Sequence, residues 1–203
     1  MAGSVVLLSG GIESSTLLRQ ERGRHSVTGL FVDYGQRGAA QERAAAQRQC
    51  DNLRIDLREL DMAAVGDAFR EGRDRHMHVP LPHRNLVVLS LGLSFAENLG
   101  AQRLALALNR EDTDSYASAS HAFLDRFRAL AQSLGQIEIA TPLVRLSKAE
   151  VVTLGAELGV NFAATYSCLL GRPQHCGACP QCQKRRTAFA AARQPDPTRY
   201  RRD

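Results

Sequence analysis

Tryptophan is absent from this chain of 203 residues, and aromatic residues make up only 5% of it. Any flat ligand that stacks on an aromatic face therefore has few platforms to choose from. No apolar run reaches the ~18 residues of a membrane span, which excludes a spanning helix. The first residues carry neither a basic stretch nor a small-residue cleavage site, so no secretory signal is visible and the expected compartment is the cytoplasm. There is no G-x-x-x-x-G-K-[ST] and no G-x-G-x-x-G, which excludes Walker-type and dinucleotide-type phosphate loops. No internal repeat and no low-complexity linker interrupts the chain. What remains is an ordinary hydrophobic content of 44%, enough for one α/β domain with or without a small appendage.

The formal net charge of +5 is unevenly placed. From Lys184 to Asp203 there are seven basic residues and two acids, so the rest of the chain is close to neutral. Basicity belongs to the tail, which contains Pro195 and Pro197 and is expected to be a solvated, disordered end.

The stretch that organises the chain is Ser9-Gly10-Gly11-Ile12-Glu13-Ser14-Ser15. It follows the apolar run Val5–Leu8 and leads into a helix start at Thr16-Leu17-Leu18. Two glycines let consecutive N–H groups converge on one anion, and the first helical turn adds unpaired N–H donors with the positive end of its dipole. The serine hydroxyls are further donors. The alternative is a plain strand–turn–helix junction with serine caps. The stretch resembles the S-G-G-x-D-S loop of the PP-loop ATP pyrophosphatases, with Glu13 in place of the aspartate.

Strands are expected at Val5–Leu8, Val27–Val32, Leu53–Leu60, Leu104–Leu108 and Ile137–Ala140. Helices are expected at Ser14–Gln20, Ala39–Asn52, Leu81–Leu99 and His121–Leu134, and from a Ser147/Glu150 capping box to about Gly159. Residues 61–81 read as the least regular part, and Asn109–Tyr116 as an acidic loop. His76, His78 and His83 read as solvated rather than metal-ligating, and Cys50 as a small buried hydrophobe. Alternating strands and helices imply a doubly wound, parallel, five-stranded α/β sheet with ligands at the carboxyl ends of its strands. The expected organisation is residues 1–163 as nucleotide-binding domain, 164–193 as a four-cysteine element with the last helix, and 194–203 as the tail.

Four of five cysteines fall at Cys168, Cys176, Cys179 and Cys182. In a reducing compartment that clustering argues for metal rather than disulfides. Four thiolates complete a tetrahedral zinc site that is closed and therefore structural. The rival is an iron–sulfur cluster, but the ferredoxin run requires a fourth cysteine where Arg186 stands.

These pieces, in order, resemble the 7-cyano-7-deazaguanine synthase (QueC) family. Tyr34-Gly35-Gln36-Arg37 with Glu42 resembles its Y-x-Q-R-H…E, with Gly38 at the histidine. Pro82-His83-Arg84-Asn85-Leu86 resembles its P-G-R-N-L. Asn109-x-x-Asp112-x-x-x-Tyr116 matches the loop after strand four, Thr141-Pro142-Leu143 and Leu146–Glu150 match T-P-L…L-S-K-A-E, and the cysteines match its zinc site. The resemblance implies a carbon–nitrogen ligase that adenylates a carboxylate on a 7-deazaguanine, releases pyrophosphate, and lets ammonia or another amine displace AMP to give an amide or a nitrile. It implies ATP held by Leu8, Ser9, Gly10, Gly11, Glu13, Ser14, Ser15 and Thr16, with Mg²⁺ helped by Glu13 or Asp112. Lys148, Arg84 and Asp112 are the candidate catalytic groups. Tyr34, Gln36, Arg37, Asn85, Asn109 and Tyr116 are candidate substrate contacts, and the four cysteines hold structural Zn²⁺.

One stretch departs. The family continues Tyr-Pro-Asp-Cys-Arg, whereas this chain has Tyr116-Ala117-Ser118-Ala119-Ser120. An arginine can fork onto a carboxylate or a base edge, and alanine and serine cannot. The phosphate half is thus kept and part of the acceptor half rewritten, which predicts surviving adenylation with a changed acceptor or product. Conjugation to an amine on a protein is one such outcome. Stacking candidates are Tyr34, Tyr116, Phe123 and Tyr166. A tRNA-modifying sulfur-transfer enzyme is disfavoured because the metal takes every clustered cysteine. A nucleic-acid-binding zinc protein rests on the tail alone. Expected partners are the small deazaguanine and an amine, with a homodimer left open and no membrane.

Overall fold

A computed structural model describes residues 3–70 and 79–201. Five parallel strands form one sheet in the order β3-β2-β1-β4-β5. They are β1 (Gly3–Leu7), β2 (Ser26–Asp33), β3 (Leu57–Asp61), β4 (Arg103–Leu106) and β5 (Glu138–Ala140). The helices are α1 (Ile12–Arg22), α2 (Ala39–Leu53), α3 (Ala63–Arg70), α4 (Arg84–Asn98), α5 (Arg110–Ser115), α6 (His121–Leu134), α7 (Lys148–Glu157) and α8 (Pro180–Ala191). The expected doubly wound parallel sheet is present.

The centre of the sheet is buried on both faces because the Val5–Leu7 part of β1 and the Leu30–Val32 part of β2 are apolar in succession rather than at alternate positions. Val6, Leu8 and Phe31 face a core completed by Leu17, Val151, Val152, Phe162 and Phe189. Val5, Leu7, Leu30 and Val32 face the other core, completed by Leu89, Ala96, Phe127 and Ala131. Leu7 is paired with Leu30 on one side and Leu106 on the other, so β1 and β4 end level while β2 runs on to Asp33. The chain runs one way from β1 to β3 and the other way from β4 to β5. The crevice at that reversal is where such sheets take ligands.

Three expectations are corrected. Residues 61–81 are not wholly irregular: Ala63–Arg70 is a helix, and its Gly66 lies so close to Tyr34 that an added Cβ would stand 2.0 Å from the Tyr34 carbonyl oxygen. A single missing side chain thus lets α3 press on the turn after β2. His76 and His78 lie outside the described residues. The acidic loop Asn109–Tyr116 contains a helix, since Asn109 and Asp112 form a reciprocal capping box that turns the acids into helix starters. The third strand begins at Leu57, because Arg54 ends α2 in the left-handed conformation at φ 53°.

The tail is also held rather than trailing. Arg185, fully buried on α8, donates to Asp196 at 3.1 Å, and Tyr200 donates to the same carboxylate at 2.5 Å. The Arg201 N–H donates to the His175 carbonyl at 2.8 Å, beside a parallel bridge between His175 and Tyr200. A buried guanidinium needs a carboxylate, and the tail supplies one, which is why proline-rich composition misleads for residues 194–201. Cys50 is buried as expected, its thiol pushed up to about 12 by burial.

Candidate active site

At the carboxyl ends of β1, β2 and β4 lies a cleft of about 260 Å³. One end is the turn after β1. Gly10 takes φ +70°, and a Cβ there would stand 2.6 Å from the Glu42 carbonyl oxygen and 2.6 Å from the Ala46 nitrogen, so only glycine lets this turn seat against α2. Gly11 caps α1, leaving the first helical N–H groups pointing into the cleft end. The hydroxyls of Ser9 and Ser14 meet at 3.1 Å and line the cleft with Leu8, Gly11 and Glu13. Ser15 and Thr16 do not line it: both are buried in α1, where the Thr16 hydroxyl donates to the Ile12 carbonyl at 2.9 Å. Gly10 acts through its backbone alone, whose carbonyl accepts from the Tyr166 N–H at 2.9 Å.

Glu13 is the electrostatic centre of this end. Its Oε1 is paired with the Lys148 ammonium from the start of α7 and accepts from Asn109 Nδ2 at 3.0 Å. Burial pushes its carboxyl up, but the Lys148 charge and the donors around it outweigh that and hold it below the usual glutamate range. Asp112, also lining the cleft, accepts from the Asn109 N–H at 3.1 Å. Its carboxyl is raised, first by burial and then, against the Asn109 N–H, by the neighbouring Glu13 charge. Two carboxylates beside a phosphate cradle suit a divalent cation in donor type. Asn109 itself positions these acids and does not line the cleft.

The other end gathers Tyr34, Gln36, Glu42, Arg84, Asn85 and Tyr116. Arg84 donates to the Tyr34 hydroxyl at 3.0 Å and lies over its ring. Burial works against its charge, yet Tyr34, Glu42 and Asp112 keep it firmly protonated. Asn85 donates to the Ser118 carbonyl at 3.2 Å, so the departing stretch is tied to the site through its backbone. Tyr116 stands half exposed at the rim, 49% accessible. Arg37, like Asn109, is a substrate candidate that falls outside the cleft lining: its backbone abuts Gly171, where a Cβ would lie 2.2 Å from the Arg37 oxygen. Phe123 also lies elsewhere, tilted against Phe127.

The cysteine element supplies a wall that motif reading missed. Tyr166, Ser167 and Leu169, flanking Cys168, and Gln181, on the first turn of α8, line the cleft. Of these only Tyr166 stood out in the sequence, as an aromatic; the other three carry no pattern beyond adjacency to cysteines. Cys168, Cys176, Cys179 and Cys182 place their sulfurs within 4.8 Å of one another. A tetrahedral site with ~2.3 Å metal–sulfur bonds has edges of about 3.8 Å, so the donor set fits one metal ion. Burial raises the Cys168 and Cys182 thiols, whereas the Cys179 and Ala178 N–H groups bring Cys176 down to about 7 against its own burial. His175 holds this element to the cleft wall, its Nε2 accepting from the Ser167 N–H at 3.0 Å. Burial, then the Arg185 charge, lowers it to about 4, so it is a neutral acceptor near pH 7.

A parallel α/β sheet with a glycine-turn phosphate cradle at its switch point and a cysteine cluster beside it defines a PP-loop nucleotide-binding protein. A family model described as "Queuosine biosynthesis protein QueC" matches residues 3–193. The chain belongs to that family. It is 32% identical to the 7-cyano-7-deazaguanine synthase of Methanothermobacter thermautotrophicus, over 98% of this chain and 99% of that protein. It is 38% identical to the one from Anaeromyxobacter sp., over 97% and 95%. Among solved structures, the NH3-dependent NAD synthetase of Campylobacter jejuni matches with a TM-score of 0.56 at 18% identity, over 78% of this chain and 65% of that one. The U34-tRNA thiolase NcsA of Methanococcus maripaludis, with its [4Fe-4S] cluster, matches with a TM-score of 0.55 at 16% identity, over 95% and 70%. These last two share the fold. No helix among the described residues is long and apolar enough to cross a membrane.

Proposed function

We propose that this protein adenylates the carboxylate of a 7-deazaguanine with ATP and passes the activated acyl group to a nitrogen nucleophile. The observation that carries the reading is that one cleft is lined both by the cradle, with Lys148 paired to Glu13 there, and by Tyr34, Arg84 and Asn85. A substrate carboxylate oxygen attacks the α-phosphorus, the bond from that phosphorus to the bridging β-oxygen breaks, and pyrophosphate leaves into the cradle. Oriented N–H groups of the Gly11 turn and the Ser9 and Ser14 hydroxyls stabilise its charge. Ammonia or another amine then attacks the acyl carbon, AMP leaves, and the nitrogen gives up one proton to form the amide. A nitrile requires a second ATP at the amide oxygen, followed by loss of AMP and the amide protons.

Lys148 is the mobile cation of this scheme: paired with Glu13 here, it is placed to reach phosphate oxygens as charge develops. Glu13 and Asp112 would hold Mg²⁺, which when bound neutralises phosphate charge. The cysteines would hold Zn²⁺ as a structural ion, because four irons and four sulfides do not fit among sulfurs within 4.8 Å of one another. Rewriting of Ala117–Ser120 favours an amide or a conjugate over the free nitrile, since the acid, thiol and arginine of the related stretch have no counterpart. The test is pyrophosphate release from Mg²⁺·ATP as carboxylated bases are added. The reading predicts stimulation by 7-carboxy-7-deazaguanine with AMP in equal amount; the same slow background with and without that compound would refute it.

A further inference from the structure

The adenylation scheme leaves one buried acid of the cleft unused. Glu42 lies on the first turn of α2, and its side chain lines the end that Tyr34 and Arg84 occupy. Gln36 Nε2 donates to its Oε2 at 3.1 Å. Gln36 is itself fixed, accepting from the Tyr34 N–H at 2.9 Å and donating to the Val32 carbonyl at 3.3 Å. Among the described residues no cation pairs directly with Glu42, although the Arg84 charge acts on it. Burial pushes its carboxyl up, so the fold bears a cost in keeping it there. A carboxylate has about four acceptor positions, and Gln36 satisfies one.

The surroundings state what the rest are fit for. Tyr34 and Tyr166 line the same cleft as Glu42, so two flat rings border the space this carboxylate faces. Arg84 beside them carries five donors and spends one on the Tyr34 hydroxyl. Acceptors from a carboxylate next to donors from a guanidinium complement an edge that reads donor, donor, acceptor. The ring N–H, 2-amino group and carbonyl of a guanine-type base form that edge.

We propose that Glu42 is the specificity-determining residue for the base, its carboxylate accepting from the ring N–H and the 2-amino group while Arg84 donates to the adjacent carbonyl. The assignment rests on the deazaguanine reading above and goes further, naming which edge is read and by what. The rival role for the same acid is general base toward the attacking amine, and the two separate experimentally.

The variant is Glu42→Gln, which keeps the shape and lowers the burden of a buried charge; circular dichroism verifies its fold. Binding of 7-deazaguanine and of its analogue lacking the 2-amino group is measured by calorimetry on wild type and variant. Kinetics with the corresponding 7-carboxy compounds follow. We expect wild type to prefer the 2-amino compound by roughly 10- to 100-fold, as a charge-assisted hydrogen bond implies, and the variant to lose most of that preference with the KM for ATP unchanged. An equal preference in both proteins, or a kcat loss of the same factor for both compounds, overturns the proposal, the second result marking a general base. If wild type turns over neither carboxylate, the catalytic reading fails, and the calorimetric comparison still decides Glu42: selective binding that the variant abolishes supports it, and absence of selectivity overturns it.

Discussion

The two ends of the cleft are built on different principles. The cradle end is made of backbone and near neighbours in sequence, from Leu8 to Ser14, with one ion pair reaching in from Lys148. The acceptor end is assembled from β2 and the turn after it, α2, α4, the stretch after α5 and the cysteine element, each contributing a few side chains. The difference is electrostatic as well. Glu13 sits against an ammonium and is held below its usual range, while Glu42 sits against a neutral amide and is pushed above it. An end fixed by backbone geometry is hard to alter without losing its chemistry. An end fixed by scattered side chains can be rewritten one residue at a time, and the Ala117–Ser120 departure lies there.

The largest expected effect joins the two ends. Replacing Cys176 by Ser, or stripping the metal with a chelator, should unfold the element that carries Tyr166, Ser167 and Gln181, because metal binding of this kind supplies much of the folding energy. The Tyr166 N–H also holds the Gly10 carbonyl, so ATP binding should fall with it. Metal content with circular dichroism and nucleotide calorimetry checks this. Unchanged ATP affinity in the stripped protein would separate the ends after all.

Next in size, Arg185→Ala should cost about 3–5 kcal/mol by leaving the Asp196 carboxylate without its partner in a poorly solvated site, measured by denaturant unfolding. Gly10→Ala should cost more than about 2 kcal/mol through its positive φ and the backbone beside it, and weaken ATP binding far more than binding of the base. Lys148→Ala should slow pyrophosphate release roughly 10²-fold or more and raise the Glu13 carboxyl, seen by NMR titration of labelled glutamate.

The smallest effect is the most diagnostic of the contrast. Glu13 has a folded pKa below its unfolded value near 4.5, so the stability it contributes is full above that value and lost as pH falls through the folded one. Glu42 has a folded pKa above 4.5, so its penalty is absent below that value and grows as pH rises through the folded one. Relative to wild type, Glu42→Gln should therefore gain stability as pH is raised from acid to neutral, and Glu13→Gln should lose it. Parallel curves for the two variants would show that the ends share one electrostatic environment.

Legibility in the sequence follows the same division. The strand–glycine–helix turn, the Ser147/Glu150 capping box and the four cysteines are local patterns whose geometry is set within a few residues, and each is where it was expected. The helix Ala63–Arg70 escaped notice because it is only eight residues long, contains a glycine and ends beside a run of Gly, Arg and Asp, and it is the contact of Gly66 with Tyr34 that places it. Ser167, Leu169 and Gln181 line the cleft only because the cysteine element folds back over it, a consequence of tertiary packing that no local spacing records. Arg37, a motif neighbour of Gln36, lies outside the cleft lining, its backbone packed against Gly171.

The most direct measurement is the mass of the product formed from 7-carboxy-7-deazaguanine, Mg²⁺·ATP and ammonium, followed alongside pyrophosphate release. A kept cradle and a rewritten acceptor end predict stimulated pyrophosphate release with an amide, or a conjugate to a supplied amine, as the dominant mass. Efficient formation of the free nitrile would contradict the rewritten acceptor end, and no stimulated release would contradict the kept cradle.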